Sequence, residues 1–425
     1  MVSYWSIGMK IMPRFAKFCV LWLIGLQIHV LGVLTEFTHF DHQNMIDARA
    51  GGMGGTYIAL SDTLTGSYYN PAGLAFIDYK RTTESNNIYR ATKLTYTGAS
   101  DNFSYEFTSE TTAPPFIGLF QNYDDFNVVF SVIIPKSEKY NKDYHRSFTS
   151  SNGVNITFYE NFDGHNDHYL IGPSIAALIH SDISLGMSLF YSYETRNYIQ
   201  NIYTFPTDFP STTQVWSNTY NEETTQEILG VFGIQWMPSL DWSFGAKLNI
   251  PIQLSSTGTE QQTDAILDHL NNQYSSAISA STYNLSDMGF KSNYPTLGIG
   301  AAYLFSTKTL ACMDINYLFG NSSASHFPTS SIVNVSFGLE HYVVPSLPFR
   351  LGAYTNASYF PKDQDGDHLN GMGFTASFGY ESGANALNVA MDYQMAKGNT
   401  TSGGAITDHL DYSGITFLVS GSSNI

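Results

Sequence analysis

The stretch Trp242-Ser243-Phe244-Gly245-Ala246-Lys247-Leu248-Asn249-Ile250-Pro251-Ile252-Gln253-Leu254 carries an apolar side chain at every even position, while serine, glycine, lysine, asparagine, proline and glutamine fill the odd ones. Successive side chains of a β-strand point to opposite faces, so a strict period of two means one strand between two different surroundings. The pattern recurs as Val333, Val335, Phe337 and Leu339 against Asn334, Ser336, Gly338 and Glu340. It recurs again as Leu387, Val389, Met391, Tyr393 and Met395 against Asn388, Ala390, Asp392, Gln394 and Ala396. Soluble antiparallel sheets also alternate, but their wet face is usually rich in Lys and Glu. Here that face is mostly Gly, Ser, Asn and Thr.

Composition points the same way. Of 425 residues only 13% are charged and 15% are aromatic, against roughly 25% charged in an ordinary soluble domain. Mean hydropathy is −0.13, too low for a helical membrane bundle. A hydrophobic share of 43% excludes disorder. With a net charge of −17 and a pI near 4.9, the chain offers no basic footprint for nucleic acid.

Connection lengths separate the strands into hairpins. Tight turns fall at 123–126, 180–183, 238–242, 306–309, 344–348 and 381–386. Longer polar connections are expected at 136–166, 197–223, 257–292, 320–330, 361–370 and 398–411. Short turns at one end and long connections at the other are the mark of an outer-membrane barrel. Six hairpins from Pro115 onward, a last strand near 413–420 and one ascending strand within 80–110 predict an all-β, 14-stranded antiparallel transmembrane β-barrel with both ends of its wall in the periplasm.

The first 34 residues differ from the rest: Lys10, Arg14 and Lys17 precede an uncharged stretch from Phe18 to Leu34. They read as a signal peptide over residues 1–34, with a signal anchor as the alternative. Its removal, near Gly32 to Phe37, takes the net charge from −17 to −20. Cys19 sits ahead of most of the apolar core, where it does not mark a lipid-modified start, and Cys312 would be the single thiol of the mature chain.

Residues 35–78 are too glycine-rich and irregular for barrel wall, which leaves 79–425 for the barrel. They hold Ala50-Gly51-Gly52-Met53-Gly54-Gly55-Thr56-Tyr57, then Ala59-Leu60-Ser61-Asp62, then Asn70-Pro71-Ala72-Gly73-Leu74-Ala75. A 14-stranded barrel is too wide for its own side chains to fill, so it conducts water or holds a plug. Glycines 51, 52, 54 and 55 permit close backbone packing and positive φ, and Pro71 fixes a turn after Asn70. This order of motifs, followed directly by the first strand, resembles the FadL/TodX family of outer-membrane transporters for long-chain fatty acids and other hydrophobic compounds. Weaker echoes lie at Pro173 to Ala177, Gly245 to Pro251, Tyr294 to Gly298 and Arg350 to Gly352.

The resemblance implies that the N-terminal segment is a hatch in the lumen, with Gly51, Gly52, Gly54, Gly55, Asn70, Pro71 and Ala72 as hatch or gating residues. It also implies passive uptake of a fatty-acid-like ligand, with sideways exit through a gap in the wall into outer-membrane lipid. The chain is then a monomeric, non-enzymatic protein of a Gram-negative-type outer membrane, needing no cofactor. Strand phase puts Lys247, Asp314, Glu340, Arg350, Glu381 and Asp392 on the lumen side. Lys247 and Arg350 are candidate partners for a carboxylate, or else they pair with Glu340, Asp392 or Asp62. Phe205, Phe209 and Trp216 are candidate outer-loop contacts, and 264–280 could form a short helix with Ile266, Leu267, Leu270 and Tyr274 on one face.

Catalytic patterns are thin. Gly172-Pro173-Ser174-Ile175-Ala176 lies on a strand, not at a nucleophile elbow. Asp163, His165, Asp167 and His168 could hold a metal or form a solvated acidic loop; Asp363, Asp365 and Asp367 lack the twelfth-position Glu of a calcium loop, where Phe374 stands. The alternative function is a non-transporting barrel of the same kind, acting in adhesion or secretion through its extracellular loops.

Overall fold

A computed structural model describes residues 45–77, 81–98, 104–149, 155–206, 213–268, 273–285, 291–322, 329–359, 370–382, 385–402 and 405–424. The signal peptide, Cys19, Phe209 and Leu270 lie outside the described residues. The strands are β1 (Arg81–Gly98), β2 (Ser104–Asn122), β3 (Asn127–Thr149), β4 (Asn155–His180), β5 (Ile183–Pro206), β6 (Thr213–Trp236), β7 (Trp242–Asp268), β8 (Gln273–Asn284), β9 (Thr296–Ser306), β10 (Thr309–Leu318), β11 (Ile332–Val344), β12 (Leu347–Ala357), β13 (Asn370–Ser382), β14 (Asn385–Ser402) and β15 (Ala405–Asn424). Two short helices, α1 (Ala48–Gly52) and α2 (Gly66–Tyr69), and a 3₁₀ helix, Pro71–Phe76, precede them.

Every neighbouring pair is antiparallel. β1 pairs with β15 and β6 with β7, which closes the sheet into a ring. β8 stands outside that ring: it pairs with the far half of β7, from Thr257 to Asp268, whereas β9 takes the near half, from Trp242 to Asn249. The wall is thus the expected 14 strands plus one appended strand. One ascending strand, β1, does occupy 80–110, although its descending partner already begins at Ser104 and not at Pro115.

All six tight turns connect the strand pairs assigned to them. Most of the long polar connections are instead strand. β3 and β4 run through 136–166 almost without a break, β5 and β6 through 197–223, and β14 and β15 through 398–411. Polar residues on both faces erase the period-two signal, while the backbone ladder continues regardless. The proposed helix at 264–280 is the β7–β8 hairpin, with Thr263 opposite Ile278 and Leu267 opposite Tyr274. Thr, Ile and Tyr suit a pleated surface better than a helix here.

The ring is therefore lopsided. β3 has 23 residues, β4 26, β5 24, β6 24 and β7 27. Opposite them, β9 has 11, β10 10, β11 13 and β12 11. A belt of exposed apolar side chains encircles the short part of the wall, including Leu119, Phe130, Ile175, Leu189, Phe232, Ile250, Ile299, Phe337 and Phe374. Trp236, Trp242 and Tyr380 border it near the tight turns, and Tyr191, Tyr317 and Tyr393 on the other side. An apolar belt between aromatic girdles is the outer surface of a barrel in lipid.

Candidate functional site

The segment from Met45 to Ile77 packs against the inward faces of the strands. Its side chains form the largest apolar cluster, in which Ile46, Met53, Tyr57, Leu64 and Leu74 meet Phe116, Val129, Leu170, Phe190 and Val231 of the wall. An irregular segment in a closed space must find partners for its backbone groups, and the wall supplies them. The Asp314 carboxylate accepts the amides of Tyr57 and Ile58 at 2.7 and 3.0 Å. Thr375 Oγ1 accepts from Gly54 N at 2.9 Å and donates to Gly52 O at 3.0 Å. Gln235 Nε2 donates to Ala59 O, Ser184 Oγ to Ala72 O, Ser188 Oγ to Ser67 O, and Asn127 Nδ2 to Leu74 O.

The Asn-Pro-Ala element anchors this docking. Asn70 is extended (φ −161°), and its Oδ1 accepts from Ala72 N at 3.2 Å to cap the 3₁₀ helix that Pro71 opens. Its Nδ2 donates to Ile58 O at 2.7 Å and to Ile234 O on β6 at 3.2 Å, tying the two halves of the segment to each other and to the wall. The approach is so close that a Cβ at Gly233 would lie 2.0 Å from Asn70 Oδ1. Gly54 and Gly55 take positive φ, +69° and +78°, directly after α1. Gly51 and Gly52 lie within α1, whose N-cap Asp47 accepts from Arg49 N and Ala50 N.

Charge adds a second anchor. Arg49 holds Asp62 at 2.7 Å and Glu340 of β11 at 3.0 Å. Arg350 is wholly buried, with Nε on Glu340 at 2.5 Å, one terminal nitrogen on Glu381 at 2.5 Å and the other on Asn388 at 2.8 Å. Each of its three nitrogens thus has a partner on the wall, which is the pairing set against a ligand role for this residue. Burial raises the Asp62 carboxyl, but the Arg49 guanidinium and the Tyr57 hydroxyl outweigh it and hold Asp62 below the usual range. The Arg49 side chain stays cationic, since Asp62 and Glu340 more than offset its desolvation.

Above the docked segment lies a cavity of about 150 Å³. Ile58, Tyr68 and Tyr69 form its floor, Leu170, Leu229 and Leu318 its apolar walls, and Lys136, His168, Glu194, Lys247 and Lys291 its charged lining. Lys247 Nζ stands 6.0 Å from the centre of the Tyr68 ring, so this lysine is where strand phase placed it. From the open side, Ser292 and Asn293 reach in and donate their amides to Glu227, both at 3.1 Å.

At the same level the wall is interrupted. β2 and β3 pair from Asn122↔Asn127 to Phe116↔Ile133, and the register next resumes at Ser109↔Tyr140. β3 also slips against β4 between Ile133 and Lys136. Pro114, Pro115 and Pro135 fall within this gap, and proline has no N–H to give a ladder. Pro135 and Lys136 also line the cavity, so the cavity reaches the interrupted seam. Sequence reasoning missed this feature, although prolines inside two strand-like runs were its signal.

Phe205 and Trp216 do not face the lumen or sit on loops. They lie on strand extensions with their rings outward, Trp216 stacked on Tyr203 at 5.0 Å and Phe205 5.1 Å from the same ring. His165 and His168 fall on opposite faces of β4, and among the described residues no three His, Cys, Asp or Glu side chains come together as a metal site. His168 Nε2 meets Ser192 Oγ at 2.8 Å, but Ser192 is wholly buried and also accepts from Asn293 Nδ2 at 2.9 Å, so it sits in a closed polar network and not as an exposed nucleophile.

Together these features define a 14-stranded β-barrel with its N-terminal segment packed inside. The fold is that of the FadL/TodX barrels. It superimposes on the Pseudomonas putida toluene transporter TodX with a TM-score of 0.64 at 14% identity, over 88% of this chain and 97% of that one. The Ralstonia pickettii toluene transporter TbuX matches at 0.60 and 13%, over 90% and 99%, and a Pseudomonas aeruginosa FadL homologue at 0.57 and 12%, over 89% and 98%. No protein-family model and no curated protein sequence matches the chain.

Proposed function

We propose that this protein is an outer-membrane channel for passive uptake of long-chain fatty acids or similar hydrophobic compounds, with residues 35–78 as its hatch and 79–425 as its barrel. The observation that carries this reading is a cavity bounded below by the docked segment and sideways by an interrupted seam. A hydrophobic cargo gains about 0.8 kcal/mol for each CH₂ it buries, so it favours a pocket and then lipid over the aqueous periplasm. Exit between β2 and β3 gives it that route. The hatch, held by Asn70, Gly52, Gly54 and Arg49, blocks the axial path and gates passage when it shifts.

The cavity's three lysines favour an amphipath with an anionic head over a bare hydrocarbon. Lys247 is the residue assigned to that head. The fold of toluene transporters supports the hydrophobic tail. The tight turns then face the periplasm and the tall strands β3 to β8 rise outside the cell; that tall wall also favours the second reading, a surface barrel that binds partners.

Native mass spectrometry of the detergent-purified protein, with a Lys247→Ala control, tests the proposal. Retained fatty acid that is lost on substitution supports it. An empty protein that also takes up no added fatty acid overturns it in favour of the surface reading.

A further inference from the structure

The docked segment bounds the cavity from below and the β2–β3 seam bounds it sideways, but what lies over it on the outer side has no role so far. Lys291, Ser292, Asn293 and Tyr294, four consecutive residues between β8 and β9, line the cavity together. Their anchors stand one inward-facing step farther out than the residues below them. On β6 the inward side chain beyond Leu229 is Glu227, and on β5 the one beyond Phe190 is Ser192. Tyr294 packs with Leu318, Ile332 and Tyr359, at the outer ends of β10 and β11 and just past the outer end of β12. The stretch thus reaches from the outer end of β9 over to β5 and β6, as a roof.

We propose that this roof is a second gate, and that Glu227 is the positioning residue that holds it shut. This rests on the transport reading, in which cargo arriving from outside and held over the hatch has to pass residues 291–294. The roof is held at one point. Its backbone joins no strand ladder, and the wall takes two of its amides on a single carboxylate: Ser292 N donates to Glu227 Oε1 and Asn293 N to Oε2, each at 3.1 Å. Asn293 Nδ2 gives Oε2 a third bond at 2.8 Å and donates its other hydrogen to Ser192 Oγ at 2.9 Å. Hydrogen bonds to an ionised acceptor are roughly twice as strong as neutral ones, so this carboxylate dominates the closure. Tyr294 is the hinge, buried at 8% with its ring centre 4.9 Å from that of Tyr359.

The hatch is fastened differently. It hangs on side chains of β3, β5, β6, β10, β11 and β13, from Asn127 to Thr375, with no one point of release. An outer gate that yields more readily than the inner one admits cargo while the lumen below stays closed.

Entry of a thiol reagent reads the roof without any cargo. In the full-length protein on intact cells, Leu229→Cys puts a thiol in the cavity wall beneath Glu227, and a membrane-impermeant maleimide is added outside; the parent chain, whose Cys312 is buried, sets the background. The new thiol is expected to label slowly, and at least tenfold faster once Glu227→Gln is added, because this isosteric side chain sets an NH₂ against the roof's donors. Asn293→Ala, which leaves the wall untouched, is expected to speed labelling likewise. Heat-modifiable gel mobility shows in each case that the barrel is folded. Fast labelling with Glu227 and Asn293 in place, or equal rates with and without the two substitutions, overturns the proposal. Uptake of labelled fatty acid is measured in parallel, and Glu227→Gln is expected to raise its initial rate. Faster labelling with unchanged uptake means that cargo enters by another way, which also overturns the gate. Absence of uptake in every variant and in the parent tells against the transport reading, while the labelling rates still decide whether Glu227 holds the roof.

Discussion

Arg49 is the residue on which docking of the N-terminal segment turns, because it joins the segment's own Asp62 to the wall's Glu340, which in turn holds Arg350. Removing one member of a buried pair leaves the other charge uncompensated at a cost of about 3 kcal/mol. Glu340→Ala strips a partner from two arginines, one of them wholly buried, and its urea unfolding midpoint in detergent is expected to fall accordingly. The Asp62 carboxyl gives the pH dependence. Its pKa is depressed in the folded state, so its contribution is present above the ordinary value of 3.8 and is lost as pH falls through the lower folded value. Bilayer conductance of the wild type is thus expected to stay low at neutral pH and rise below about pH 4, while Arg49→Ala conducts at neutral pH. Gly54 sets a steric limit. At φ +69°, with a Cβ position 3.0 Å from Ala353 N and Phe337 O, Gly54→Ala is expected to destabilise docking by about 1 kcal/mol or more, read as faster proteolysis of the segment within an intact barrel.

Among the elements, the β2–β3 seam carries the clearest prediction. Replacing Pro114, Pro115 and Pro135 together by Val, Thr and Thr restores three N–H donors to an otherwise antiparallel pair. Uptake of a labelled fatty acid into cells is expected to fall while the purified variant still retains its ligand, since the cavity floor and Lys247 are untouched. Unchanged uptake would place the exit elsewhere. The elements also show where sequence was readable. Tight turns and membrane strands were legible because lipid outside and a packed lumen inside impose opposite polarity on alternate residues, as Trp242 to Leu254 shows. The tall halves of β3 to β7 were not, because water or polar partners on both faces remove that contrast. Asn70 and the glycines stood out as a motif. Their partners Ile234 and Thr375 did not, because contacts across more than a hundred residues leave no local pattern.

At the scale of the molecule, the wall and the inner segment depend on each other unequally. The wall closes by its own ladders, from β1↔β15 round to β6↔β7, and its apolar belt needs only lipid. The inner segment has short helices of five and four residues that could not persist alone, and it owes its order to side chains from strands around the ring. Removing residues 35–77 is therefore expected to leave a barrel that still shows heat-modifiable mobility, whereas the excised segment alone has no structure by circular dichroism. The emptied lumen changes more than the wall. Arg350, Glu340 and Asp314 now line a space buried by the segment, and without it they face water, where charge is stable and ions are drawn in. A 14-stranded ring is wider than the eight-stranded barrels that side chains alone can fill. Single-channel conductance is expected to rise on the order of tenfold or more over the intact protein, with preference for cations because the chain is strongly acidic. Conductance equal to that of the intact barrel would mean that something other than residues 35–77 closes the lumen, and the gate would have to be sought among the inward-folded residues near Ser292 and Asn293.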